Sequence, residues 1–79
     1  MEIPERIRFC RMRNKETQAK IAEYLDIPQQ QYCRYENGKN DIPVRYVNAL
    51  CRHWDVTADF IIGLTDTPSP IHRESPVSN

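Results

Sequence analysis

The chain has 79 residues, with eleven Lys or Arg against eleven Asp or Glu and so a formal net charge of zero; 39% of it is hydrophobic, and it holds only two glycines. A chain of this size makes one domain, with a core able to fold alone and no room to enclose a substrate cavity as well. There is no apolar run long enough for a bilayer and no secretory pattern in MEIPERIRF, so no membrane role is expected and a soluble cytoplasmic protein is. Cys10, Cys33 and Cys51 are too few and too widely spaced for a disulfide framework or a zinc site, which predicts reduced thiols.

Five short helices and no strands are expected. The first runs from about Pro4 to Arg13: Pro4 suits the first helical position, Ile3, Ile7 and Cys10 recur on one face, and Asn14 and Lys15 break the pattern. Thr17 can cap the second, because its hydroxyl takes up an amide that the helix start leaves unpaired. Ile21, Ala22 and Leu25 form an apolar stripe, Asp26 closes the helix and Ile27 plugs the turn. Pro28 fixes its own φ and biases the residue before it away from helix, so a third helix begins near Gln29. Tyr32 and Tyr35 share its inward face, leaving Gln29, Gln30, Cys33 and Arg34 outward or sideways. Gly38 supplies a left-handed stop, and the loop NGKND (37–41) is dense in turn formers. The fourth helix follows Pro43 and buries Val47, Leu50, Cys51 and Trp54, with Val44 or Tyr46 at its start. The fifth begins at the cap Thr57 and carries Phe60, Ile61 and Leu64 toward the core or a partner. Residues 67–79, with three prolines and three serines, are expected to be a disordered tail.

The middle of the chain is therefore helix, tight turn, helix, and the second of the pair opens on three consecutive glutamines. A polar helix of that kind is built to touch bases. QQQYCRYENGK, from Gln29 to Lys39, resembles the recognition helix and following loop of the Cro/cI-type, or XRE-like, helix-turn-helix transcriptional regulators, which include the lambdoid phage repressors. DVTADFIIGLTD, from Asp55 to Asp66, resembles that family's last helix and its Gly-Leu-Thr ending. The likeness covers about residues 5 to 66. It implies an all-α fold, a compact bundle of five short helices of the lambda-repressor-like kind, with residues 1–66 as the DNA-binding domain.

On that resemblance Gln29 and Gln30 align with the principal base-reading positions, and Cys33 and Arg34 with secondary ones on the next turn. A glutamine carboxamide can pair bidentately with adenine N6 and N7 in the major groove. Gln18 resembles the family's phosphate-binding glutamine at the start of the second helix, and Asn37 and Lys39 its second phosphate clamp. Gln31 faces the flank of the helix. Arg11 and Glu36 correspond to a partly buried salt bridge that ties the first helix to the third; they are scaffold rather than readers. Arg6, Arg8 and Arg13 are read as solvated. Three departures stand out: Asp26 fills a turn position where glycine is common, Pro28 replaces the usual Ser or Thr cap, and Lys20 replaces an acidic residue, so no capping box forms.

The balanced charge argues against nucleic-acid binding, because Lys and Arg supply much of the affinity for phosphate. The charge is segregated, however. Residues 1–53 hold ten basic against seven acidic side chains, a balance of +3, and residues 54–79 hold one against four, a balance of −3. A locally positive half can steer onto DNA. Modest affinity per monomer points to a homodimer on a palindromic double-stranded operator, and Trp54, Phe60 and Ile62 offer apolar surface for the interface. No catalytic set emerges: His53 and His72 cannot be matched to the cysteines, and no phosphate loop, metal site or cofactor site is legible. The function implied is a sequence-specific transcriptional regulator of bacterial or phage origin, a repressor acting by promoter occupancy. Two alternatives stay open: the antitoxin of a toxin–antitoxin pair, in which the same fold also binds a toxin, and a protein-interaction module without DNA binding.

Overall fold

The computed structural model describes residues 2–65; the expected tail 67–79, with His72, lies outside the described residues. The helices are α1 (Ile3–Arg13), α2 (Gln18–Leu25), α3 (Gln29–Glu36), α4 (Val44–Trp54) and α5 (Ala58–Ile61), and there is no strand among the described residues. The all-α expectation is borne out.

Local chemistry sets the boundaries. At the start of α1 the amide of Glu2 donates to Glu5 Oε1 at 2.8 Å, and Pro4 stands in the first turn. Thr17 caps α2 by accepting from the Lys20 amide at 3.1 Å, and Thr57 caps α5 by accepting from the Phe60 amide at 3.3 Å. Pro28 precedes α3 in an extended conformation without offering a side-chain cap. The chain turns after α1, α2 and α4 through three non-glycine residues in the left-handed region, Lys15 (φ 57°), Asp26 (φ 59°) and Asp55 (φ 55°). Branched side chains would be strained there, whereas Asp tolerates it.

The core lies where all five helices converge. Ile7, Cys10, Ile21, Tyr32, Leu50 and Ile61 are all fully buried in it, and Val56, between α4 and α5, adds a plug that spacing alone did not mark. On α4 the expected face, Val47, Leu50, Cys51 and Trp54, is the buried one. Val44 at its start is exposed, and Tyr46 packs against the core instead. The fifth helix is a single turn. It buries Phe60 and Ile61 but ends before Leu64, which is exposed.

Arg6 corrects the reading of the basic residues of α1. It is buried at 3% exposure, donating through Nη1 to the carbonyls of Phe60 (3.3 Å) and Thr65 (2.7 Å), with its guanidinium 4.6 Å from the centre of the Phe60 ring. The end of a helix leaves carbonyls without intrahelical partners, and a planar cation that also stacks on an aromatic face can satisfy them. Arg8 and Arg13 remain at the surface.

Candidate nucleic-acid interface

The turn between α2 and α3 is closed by two backbone bonds, from the Asp26 amide to Glu23 O (3.1 Å) and from the Ile27 amide to Ala22 O (3.0 Å). Asp26 is left-handed and exposed, while Ile27 tucks its side chain against the core. These constraints, with Tyr32 and Tyr35 buried on the inner side of α3, decide which residues α3 turns outward. Gln29, Gln30 and Arg34 are exposed and make no side-chain hydrogen bond to another described residue. Gln31 and Cys33 are half-buried on the flanks. Gln31 donates to the Tyr35 hydroxyl at 2.9 Å, so the third glutamine is a strut within the helix. The loop after α3 folds back onto it, with the amides of Lys39 and Asn40 both reaching Arg34 O at 2.9 and 3.3 Å. Lys39 and Asn37 are exposed beside the end of α3, Asn37 donating to Cys33 Sγ at 3.4 Å.

Behind this face Glu36 collects the donors that hold α3 at its angle. Arg11 of α1 forks onto it, Nε to Oε2 at 2.6 Å and Nη2 to Oε1 at 3.1 Å. The Tyr32 hydroxyl donates to Oε2 at 2.6 Å, and Gln18 Nε2 to Oε1 at 3.1 Å. Burial by itself would raise the pKa of Glu36, but the bonds from Arg11, Tyr32 and Gln18 outweigh it and hold the carboxyl below the usual range. Burial, and then the neighbouring carboxylate, push the Tyr32 phenol far above its ordinary value, so it stays a donor. The Arg11–Glu36 pair thus joins the first helix to the third, as the resemblance implied. Gln18 stands at the start of α2, where a phosphate contact was expected, yet one of its amide protons is committed to Glu36.

A second polar cluster was not foreseen. Glu16, in the loop between α1 and α2, accepts from the Trp54 indole Nε1 at 2.8 Å and meets His53 Nε2 at 2.7 Å. A carboxylate only accepts, so His53 Nε2 carries the proton of that bond. Burial opposes ionisation of Glu16, but the bonds from Trp54 and His53 more than compensate and lower its pKa. The Tyr24 ring lies 4.4 Å from that of His53, and its hydroxyl donates to Ala49 O at 3.0 Å. The one signal that could have found this cluster is the sole tryptophan, whose buried N–H needs a partner; nothing in local spacing names Glu16 as that partner.

All three cysteines are free. Burial pushes the Cys10 thiol up to about 11 and raises that of Cys51 as well, whereas Cys33 lies half-buried at the surface. Among the described residues no group of His, Cys, Asp or Glu is placed to hold a metal ion, and no helix is long and apolar enough to cross a membrane.

Residues 7–61, more than half of the chain, match the family model for the helix-turn-helix. The chain belongs to this family. The resemblance to Cro/cI-type regulators is thereby shown, and the family is one of DNA-binding transcriptional regulators. A helix-turn-helix relative in Bacillus subtilis (strain 168), the uncharacterized HTH-type transcriptional regulator YobD, is 36% identical over 66 residues, covering 84% of this chain. The chain spans 59% of the length of that relative.

Of the three side chains expected at a dimer interface, two are corrected. Trp54 (5% exposed) and Phe60 (3%) belong to the core of the monomer, the indole turned to Glu16 and the Phe60 ring covered by Arg6 and by Phe9, whose ring centre is 5.8 Å away. Ile62, just past the end of α5, is exposed.

Proposed function

We propose that the chain is a sequence-specific DNA-binding transcriptional regulator that reads the major groove of double-stranded DNA with α3 and represses by occupying a promoter. The observation that carries this reading is the row Gln29, Gln30 and Arg34, exposed and uncommitted on a helix whose inner side is pinned through Glu36 to α1. An α-helix with its side chains is about 10–12 Å across, which a major groove about 12 Å wide admits. Gln29 and Gln30 supply donors and acceptors to base edges, with Arg34 and Cys33 reaching the next base pair. Gln18 through its remaining amide proton, Asn37 and Lys39 then hold phosphates on either side.

The regulator acts as a homodimer on a palindromic operator in the cytoplasm of a bacterium or its phage. Supporting this are the zero net charge, which makes two half-sites worth more than one, and the apolar side chains of Phe9, Met12, Ile62 and Leu64 left at the surface of α1 and beyond α5. Selection of bound duplexes from random DNA, followed by sequencing, tests the reading. It should yield a palindrome with half-site centres about 34 Å apart. Recovery of no sequence above the input library would reject it.

A further inference from the structure

The Glu16 cluster touches none of the residues assigned to DNA, yet it abuts the one that fixes them. Arg11 spends three donors: two on the Glu36 carboxylate and the third, Nη1, on the backbone carbonyl of Glu16 at 2.8 Å. The Glu16 amide returns a bond to Arg11 O at 3.1 Å, so residue 16 clamps Arg11 from both ends of its own peptide units. That loop passes through Lys15 at φ 57°, a conformation that a non-glycine residue holds only when its surroundings impose it. Backbone bonds from the Lys15 amide to Met12 O (3.0 Å) and from the Glu16 amide to Arg11 O close that turn, and the Glu16 side chain adds a tether, at one oxygen to Trp54 and at the other to His53 on the last turn of α4. With 13% side-chain exposure for Glu16 and 23% for His53, water does not substitute freely for either bond.

We propose that Glu16 is a positioning residue for DNA reading: clasped by His53 and Trp54, it holds the α1–α2 loop so that Arg11 stays forked on Glu36 and α3 keeps its docking angle. The polar chain is continuous, from α4 through Glu16 to Arg11, then to Glu36, and from Glu36 to Tyr32 on α3 and Gln18 on α2. Loosening the clasp lets the loop relax, frees Nη1 and tilts the fork; the base-reading row then meets the base edges out of register, while binding through phosphate contacts, which carry no sequence information, persists. The inference rests on the proposed reading of DNA by α3.

The test compares Glu16→Ala and Glu16→Gln with the wild type in two measurements. In ¹⁵N-labelled free protein, the Trp54 indole N–H reports the clasp, the Arg11 Nε–H reports the fork and the backbone amides of Gln29–Glu36 report α3. Binding is measured to the duplex recovered by selection and to a scrambled duplex of equal length. Glu16→Ala should move all three sets of signals and weaken the selected duplex about tenfold, with the scrambled duplex changed by less than about twofold. Glu16→Gln keeps an acceptor for Trp54 and should show the smaller displacement and a loss of about threefold. It also carries the test alone if the alanine variant fails to fold. Signals of Arg11 and α3 that stay in place, or equal losses on both duplexes, would overturn the proposal. A wild type that selects no sequence sinks the DNA reading and this proposal together, whereas a wild type that selects normally, with Arg11 unmoved in the variants, overturns this proposal alone.

Discussion

Replacing Arg11 by Met removes the guanidinium, with its fork on Glu36 and its bond to Glu16 O, and keeps most of the aliphatic stem, so packing changes little. Removing one partner of a fully buried ion pair costs roughly 3 to 5 kcal/mol, because the other charge is left without compensation. In this protein Glu36 has 2% side-chain exposure and Arg11 14%, and the carboxylate would retain Tyr32 and Gln18 as donors. The lower end applies, about 3 kcal/mol. At roughly 4 to 8 °C per kcal/mol for a domain of this size, the melting temperature near neutral pH should fall by about 12 to 24 °C. The pH dependence carries the sharper check. Glu36 has its pKa lowered in the folded state, chiefly against burial and by the bonds from Arg11, so its contribution is complete above the unfolded carboxylate value and is lost as pH falls through the folded one. The stability gap between wild type and variant should therefore be full at pH 7 and shrink as pH drops below about 4. Thermal unfolding followed by circular dichroism at several pH values measures it. A gap under about 1 kcal/mol at neutral pH, as for an exposed pair, or one that persists unchanged into acid, would refute the reasoning.

Gln29→Ala and Gln30→Ala should each weaken the selected duplex by about 1 to 3 kcal/mol and leave random DNA nearly unaffected; titrations on both duplexes check this, and equal loss on the two removes these residues from base reading. Lys39→Ala should weaken all sequences alike and lower the slope of log affinity against log salt by about one, a change that would be missing if Lys39 were merely solvated. Ile62→Asp should shift sedimentation toward monomer and reduce operator affinity with helical content retained; a wild type that sediments as a monomer at high micromolar concentration and binds without cooperativity would exclude Ile62 from an interface.

Much of the fold was legible because its punctuation is local. Thr17, Pro28, Gly38 and Thr57 each act on residues within four positions, and the observed helices begin and end beside them. The outward row of α3 could be read for the same reason, since Tyr32 and Tyr35 fix the inner side three residues apart. What could not be read depends on partners remote in the chain. Arg6 and Arg8 differ by half a turn of one helix, yet only Arg6 meets the carbonyls of Phe60 in α5 and of Thr65 beyond it, 54 and 59 residues on. Trp54 and Phe60 looked like surplus apolar surface because a count of side chains does not say which of them find room inside. Glu16 offered no pattern at all, its partners being 37 and 38 residues away. Gln18 could be assigned to phosphate by resemblance, but its bond to Glu36 appears only when α2 and α3 are set side by side.

The depths of the three sulfurs make this a singly addressable molecule. Thiol reagents attack the thiolate at an accessible surface; Cys10 and Cys51 are buried, the former with its thiol pushed up to about 11, and the folded protein shields both. Cys33 alone reaches solvent, on the flank of α3 one turn after Gln29. A maleimide dye added to the folded wild-type chain would therefore mark one position, with no cysteine to remove beforehand. Cys33 is itself one of the side chains proposed to reach a base pair, so protection of its thiol from the reagent by DNA would map the contact directly.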